Sequence, residues 1–345
     1  MKKNHSPVVI TDPYPRTLDL IFSKKNLLML KKKFKLIAAP INKNNKINFY
    51  KNNIDKATFI IGQPNLPKSL LQKAKKLKAI FNVESNFMDN MDYEYCFKND
   101  IHVLSTSPVF AQPVAELALG LTLSLARDIH NAHKDFIASK EKYGGEASKK
   151  NFLLKDKAFG MIGFGDLAKS LLPLLKPFSR KIYSYDPWVP NQQMLDNDVQ
   201  PSSLNLLLKT CDVIYVLASI TSKNQGLINK SKFDMIKKNA CFILMSRAAI
   251  INFPDFFKKL KSNEFYAAID VFPVEPVNKN DPIRKLKNVI FSAHRAGALD
   301  IVFKEMGNIV YEDMLLIQKN FPPRLCKRAE RETIGLFRSK PVDHN

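Results

Sequence analysis

Along its length the chain alternates short apolar runs with longer mixed stretches. Val8 to Thr11, Lys35 to Ala38, Thr58 to Ile61, Ala79 to Val83 and His102 to Leu104 read as strands. Leu66 to Leu77 reads as a helix with lysines on its outer face. Such alternation predicts a parallel sheet. Pro113 to Ile129 is a long apolar stretch with proline suited to a first helical turn, and its Ala115, Ala118 and Gly120 allow close packing. Residues 131–156 are polar and read as an irregular arm. A second strand–helix alternation starts at Phe159 and runs to about Ser292. Ala298 to Leu316 is helical in pattern, and the basic tail after Pro322 and Pro323 shows no clear element.

A length of 345 residues fits two domains. The hydrophobic content of 45% and charged content of 25% are those of an ordinary soluble protein. No uncharged apolar run of about 18 residues is read, so no membrane partner is expected. The segment from Met1 to Asp12 lacks the apolar core of a signal peptide. Cys96, Cys211, Cys241 and Cys326 are far apart, which points to reduced thiols and a cytoplasmic location. His130 and His133 fit one helix face with no further ligand nearby, so no metal is expected. The net charge of +22 comes from scattered lysines without a nucleic-acid-binding motif. We read it as a field that favours solubility and draws in anions, with no nucleic-acid partner.

The first chemical signal starts at Ala158 to Ile162, a strand that enters Gly163-Phe164-Gly165-Asp166-Leu167-Ala168 and then a helical run. This is the dinucleotide fingerprint in its required setting. Gly163 makes the tight turn, and Gly165 lets a pyrophosphate approach the amides at the helix start, around Asp166 and Leu167. The Asp166 carboxylate is expected to cap the helix and face away from the ligand. The next strand, Lys181 to Tyr185, ends in Asp186, about 20 residues past the second glycine, which suits a ribose diol. A carboxylate there repels a 2′-phosphate, and Pro187 and Trp188 follow it rather than arginine, so NAD is expected rather than NADP.

The second signal is a trio, each member following an apolar run. Arg247 follows Cys241 to Met245, Glu275 follows Tyr266 to Phe272, and His294 follows Asn288 to Ser292. Open α/β sheets bind ligands at the carboxyl ends of their strands. Arginine holds a carboxylate with planar donors. Histidine exchanges a proton with a carbonyl or hydroxyl oxygen. A carboxylate beside an imidazole orients it and favours its charged form. Together they are a minimal kit for moving a hydride onto a 2-keto acid.

With these residues assembled, the chain resembles the D-isomer-specific 2-hydroxyacid dehydrogenase family. The resemblance runs from about Ala79 to Gly297, with Ala-Ile-Asp-Val-Phe-Pro-Val-Glu-Pro and the His-x-x-Gly context as its most specific parts. Val114-Ala115-Glu116 resembles the start of the family's long helix. The resemblance implies two doubly wound parallel-sheet α/β domains. One is a Rossmann NAD-binding domain over 109–298. The other is a flavodoxin-like substrate domain split between 1–108 and 299–345. It implies a homodimer held largely by the cofactor domain. It gives Arg247 the substrate, His294 the acid/base role and Glu275 the pairing with His294. It places Asp270 on the nicotinamide amide, with Ser246 and Gly297 also at the cofactor. Ser85, Asn86 and Arg295 are the further substrate-binding candidates. Three stretches depart from the family pattern: the glycine-free Asn82 to Asp92 with Glu84, Ser105-Thr106-Ser107-Pro108, and Arg295. The expected activity is NAD-dependent hydride transfer at C2 of a small D-2-hydroxy acid or its keto acid. Glyoxylate, hydroxypyruvate, phosphohydroxypyruvate and bulkier acids all remain open as substrates. The alternatives are a catalytically silent NAD(H)-sensing or scaffolding protein, and a charge-driven nucleic-acid binder.

Overall fold

The structure, a computed structural model, describes residues 6–84, 86–147 and 151–337. The chain forms two compact units, Met1–Val109 with Leu299–Asn345, and Phe110–Ala298.

The first unit is built on strands β1 (Val8–Asp12), β2 (Lys35–Ala38), β3 (Ala57–Gly62), β4 (Ala79–Asn82) and β5 (His102–Ser105). The second carries β6 (Phe159–Ile162), β7 (Ile182–Tyr185), β8 (Gln200–Pro201), β9 (Val213–Val216), β10 (Cys241–Leu244), β11 (Tyr266–Ile269) and β12 (Val289–Phe291). A last short strand, β13 (Lys327–Arg328), returns to the first unit. Among the described residues the sheet orders are β13-β5-β4-β3-β1-β2 and β12-β11-β10-β9-β6-β7-β8. All pairings are parallel except β13 with β5. Both are doubly wound α/β sheets. In β6, β9 and β10 every residue is buried, as expected when both faces of a parallel sheet are covered.

Several expectations from the sequence need correction. The stretch from Leu66 to Leu77 is helical only over Lys68–Leu71. Beyond it, turn hydrogen bonds such as Lys73 N to Leu70 O and Leu77 N to Ala74 O carry the chain. They bury Leu70, Leu71, Ala74 and Leu77 just as a helix would, so the pattern alone could not separate the two.

The long apolar helix spans Ala111–Ala126 and ends before Asp128, whose φ of 51° is left-handed. A separate helix, Ile129–Ile137, occupies the start of the stretch read as irregular. Within it the His130 side chain is 16% exposed, while His133 is exposed. The segment Ser107–Ala126 is long and apolar enough to cross a membrane by length and composition. Here Val114, Ala115, Ala118, Leu121 and Leu125 belong to the core of the second unit, packed with Ala168, Leu171 and Leu172 of the helix Asp166–Leu175. Gly120, by contrast, faces open space.

The tail also has structure: β13 pairs antiparallel with β5 and a short helix follows at Arg331–Ile334. Asp313, fully buried on the helix Asp300–Gln318, explains how. Its carboxylate accepts the backbone N–H groups of Arg324, Leu325 and Cys326 at 2.7–3.2 Å and turns the chain back towards the sheet. No local pattern in the tail announces an anchor held elsewhere. Asp313→Ala is expected to lower stability by about 3 kcal/mol, because hydrogen bonds to a buried charge contribute ~1.5–3 each. An unchanged denaturation midpoint would refute this anchoring.

Candidate active site

The β6 turn has the geometry a dinucleotide needs. Gly163 has φ of +98°, and a Cβ there would lie 2.6 Å from the backbone of Ala218. Only glycine meets both conditions. Gly165 faces open space and caps the helix Asp166–Leu175 without any side-chain cap hydrogen bond. As a glycine it brings no side chain of its own to the amide end of that helix, so an anionic pyrophosphate can approach there. Asp166 is the first helical residue and not the cap, a correction to its expected role.

Asp186 follows β7. Its two carboxylate oxygens accept Phe164 N at 2.8 Å and Trp188 N at 2.9 Å. It therefore braces the glycine turn itself, in addition to any contact with a ribose. The Trp188 ring is exposed, with Lys223 Nζ 5.0 Å from its centroid.

Strand register collects the trio. Leu244, Ile269 and Phe291 are aligned at the carboxyl ends of β10, β11 and β12. Arg247, Glu275 and His294 lie on the loops that leave them. His294 Nδ1 is 2.7 Å from Glu275 Oε2, and Glu275 Oε1 accepts Phe272 N at 2.9 Å. Burial alone would raise the Glu275 pKa. The hydrogen bonds from His294 and Phe272, with the charges of His294 and Arg247, outweigh it and hold Glu275 below its usual value. The pair thus contributes stability above the ordinary carboxylate range, and that contribution is lost as pH falls through the lowered value. Arg247 is half-buried, and its Nη1 donates to Ser246 O at 2.7 Å. Burial lowers its pKa and the Glu275 charge opposes this, though guanidinium stays charged. With Nδ1 engaged by Glu275, Nε2 is the ring nitrogen left for substrate.

The remaining candidates find different places. Ser246 Oγ is buried without a hydrogen-bond partner, so Ser246 serves Arg247 through its carbonyl. Gly297 packs against Phe110, whose ring would lie 2.3 Å from an added Cβ. Arg295 is exposed, and Asp270 is 1% exposed with its carboxylate on the amides of Arg295 and Ala296.

In the first unit Ser85 lies outside the described residues. Asn86 O accepts the Asn82 side-chain amide. Phe87 is 5% exposed and packs in that unit's core. Glu84, the acidic residue of this glycine-free loop, is buried beside an arginine. Arg16 Nε lies 3.6 Å from Glu84 Oε1 and donates to Val83 O at 2.8 Å. Sequence reasoning missed Arg16, because nothing local links it to a loop so distant in the chain. Among the described residues no cluster of His, Cys, Asp and Glu could hold a metal ion.

A glycine turn at a helix start, a carboxylate just past the next strand and a histidine paired with a glutamate have the arrangement that a dinucleotide site with an acid/base group requires. Comparison with known proteins agrees: residues 119–296 match the family model described as D-isomer specific 2-hydroxyacid dehydrogenase, NAD binding domain. The chain belongs to that family, and its cofactor is NAD(H). It is similar to D-3-phosphoglycerate dehydrogenase of Methanocaldococcus jannaschii, 31% identical over 72% of this chain and 47% of that protein. It is also similar to glyoxylate reductase of Thermococcus litoralis, 30% identical over 76% of this chain and 80% of that protein. The chain thus spans about half the length of that phosphoglycerate dehydrogenase and about four fifths of the reductase. A crystal structure of a phosphoglycerate oxidoreductase from Rhizobium etli superposes with a TM-score of 0.86 at 42% identity, covering 95% of this chain and 99% of that one.

NADH is expected to change the fluorescence of Trp188, the only tryptophan. Asp186→Ser should weaken NADH binding about tenfold, the scale of one charge-assisted hydrogen bond. No fluorescence change at saturating NADH would remove the assigned ribose site.

Proposed function

We propose that the chain is an NAD-dependent oxidoreductase acting at C2 of a small D-2-hydroxy acid or its 2-keto acid. The observation that carries this is the His294–Glu275 pair at 2.7 Å, with Arg247 close enough for its charge to act on Glu275. NADH held at the Gly163–Gly165 turn and Asp186 would supply the hydride for C2. Arg247 binds the substrate carboxylate and polarises the adjacent carbonyl. His294 delivers a proton from Nε2 to the carbonyl oxygen, so ketone, hydride and proton sum to the alcohol. Glu275 keeps Nδ1 engaged and steadies the imidazolium. In the reverse direction neutral His294 removes the hydroxyl proton as hydride leaves C2. A silent NAD(H) sensor has no use for all three side chains.

Relatives named glyoxylate reductase, hydroxypyruvate reductase and D-3-phosphoglycerate dehydrogenase support a small, anionic keto acid as substrate. The compensation of Glu84 by Arg16 is compatible with an anion nearby. We further infer a homodimer and a cytoplasmic location. The helix Ile129–Ile137 exposes Ile129, Phe136 and Ile137, a row an isolated chain would leave in water. All four cysteines are free and buried, as suits a reducing compartment.

NADH consumption against a keto-acid panel tests the activity. His294→Gln should keep NADH binding and lose about 10²–10⁴-fold in turnover, the usual share of a general acid. Full activity in that variant would sink the mechanism. Reduction takes up a proton and oxidation releases one, so rising pH should disfavour the first and favour the second; limbs of the same sign would contradict the assignment. In light scattering the chain should run as a dimer, and Phe136→Asp with Ile137→Asp should make it monomeric. A monomeric wild-type chain would refute the dimer.

A further inference from the structure

Asp270 stands directly after β11, and no group of this residue is idle. Its backbone N–H donates to Leu244 O at 3.1 Å, at the end of the strand that leads to Arg247. Its carbonyl oxygen accepts His294 N at 2.7 Å. Carboxylate Oδ1 accepts Arg295 N at 2.9 Å, and Oδ2 accepts Ala296 N at 3.3 Å. Three successive amides therefore curl around one residue that is 1% exposed.

The curl has a cost that needs an explanation. His294 has φ of +52°, the left-handed region that a residue with a Cβ avoids. Such a conformation persists only where the surroundings hold it in place. Glu275 holds the ring through Nδ1, but a ring bond alone leaves the backbone free to relax. The three bonds from residues 294–296 to Asp270 supply what is missing.

We propose that Asp270 is the positioning residue of the acid/base: it locks the His294–Ala296 turn and thereby sets where Nε2 meets the substrate oxygen. This rests on His294 being the acid/base. The role requires a carboxylate. Two N–H groups need two acceptors, and an asparagine amide would turn a donor towards one of them. A residue that acted by holding the nicotinamide amide would instead govern cofactor affinity. The two roles therefore predict different measurements.

The test is Asp270→Asn in the full chain, alone and combined with His294→Gln. A misplaced catalytic group costs on the order of 10²-fold, so kcat for keto-acid reduction should fall by about that factor. The NADH dissociation constant, read by calorimetry, should stay within about twofold, and the substitution should cost less than about threefold once His294 is already Gln. A rise in the NADH dissociation constant of about tenfold, or an undiminished loss in the His294→Gln background, would overturn the proposal. A wild-type measurement covers the case in which the buried variant does not fold. Amide hydrogen exchange at Arg295 and Ala296 should be slow in the cofactor-free chain; exchange at the rate of an open loop would overturn it. Wild-type activity in His294→Gln would defeat the acid/base reading separately, and slow exchange would then still show the turn to be locked.

Discussion

The structure of the site depends on parallel register. When β10, β11 and β12 run side by side in the same direction, their last residues must end at one edge. A side chain shortly beyond any of these ends then falls near those beyond the others. Arginine, carboxylate and histidine, well separated in the chain, meet because of backbone hydrogen bonds that none of them makes. The same sheet places the Gly163 turn and Asp186 at the carboxyl ends of β6 and β7. Buried strand residues fix the register on both faces, since a slip by one residue would reverse every side chain.

On that edge, electrostatics assigns the roles. Glu275 stays ionised because hydrogen bonds and nearby positive charge outweigh its partial burial. An ionised Glu275 accepts a hydrogen bond from the His294 Nδ1–H and leaves Nε2 free of that partner. Arg247 loses solvent but donates to the Ser246 carbonyl and feels the Glu275 charge, so it stays charged. The scattered surface lysines add a long-range positive field that favours the approach of anions.

Carboxylates recur as backbone organisers in this molecule, two of them, Asp270 and Asp313, fully buried. Asp313 gathers the amides of 324–326, Asp186 holds those of Phe164 and Trp188, and Asp270 holds those of Arg295 and Ala296. In each case an acidic side chain on or just past a regular element fixes an irregular segment elsewhere. Irregular backbone must satisfy its N–H groups without a ladder, and a carboxylate offers several acceptor sites in a small volume.

The sequence by itself determined the sheet-forming runs, the dinucleotide turn and which three side chains to examine as a candidate trio. These are local or periodic signals: strand apolarity, glycine at a steric necessity, and charge placed directly after an apolar run. It did not determine the break at Asp128, the strand in the tail, the compensation of Glu84 by Arg16, or what the carboxylate of Asp270 holds. Each of these depends on partners distant in sequence, and a polar residue reads the same in a sequence whether it meets solvent, a ligand or a backbone amide. Only the tertiary structure brings the partner to it, because burial and hydrogen-bond geometry are set by packing and not by order along the chain.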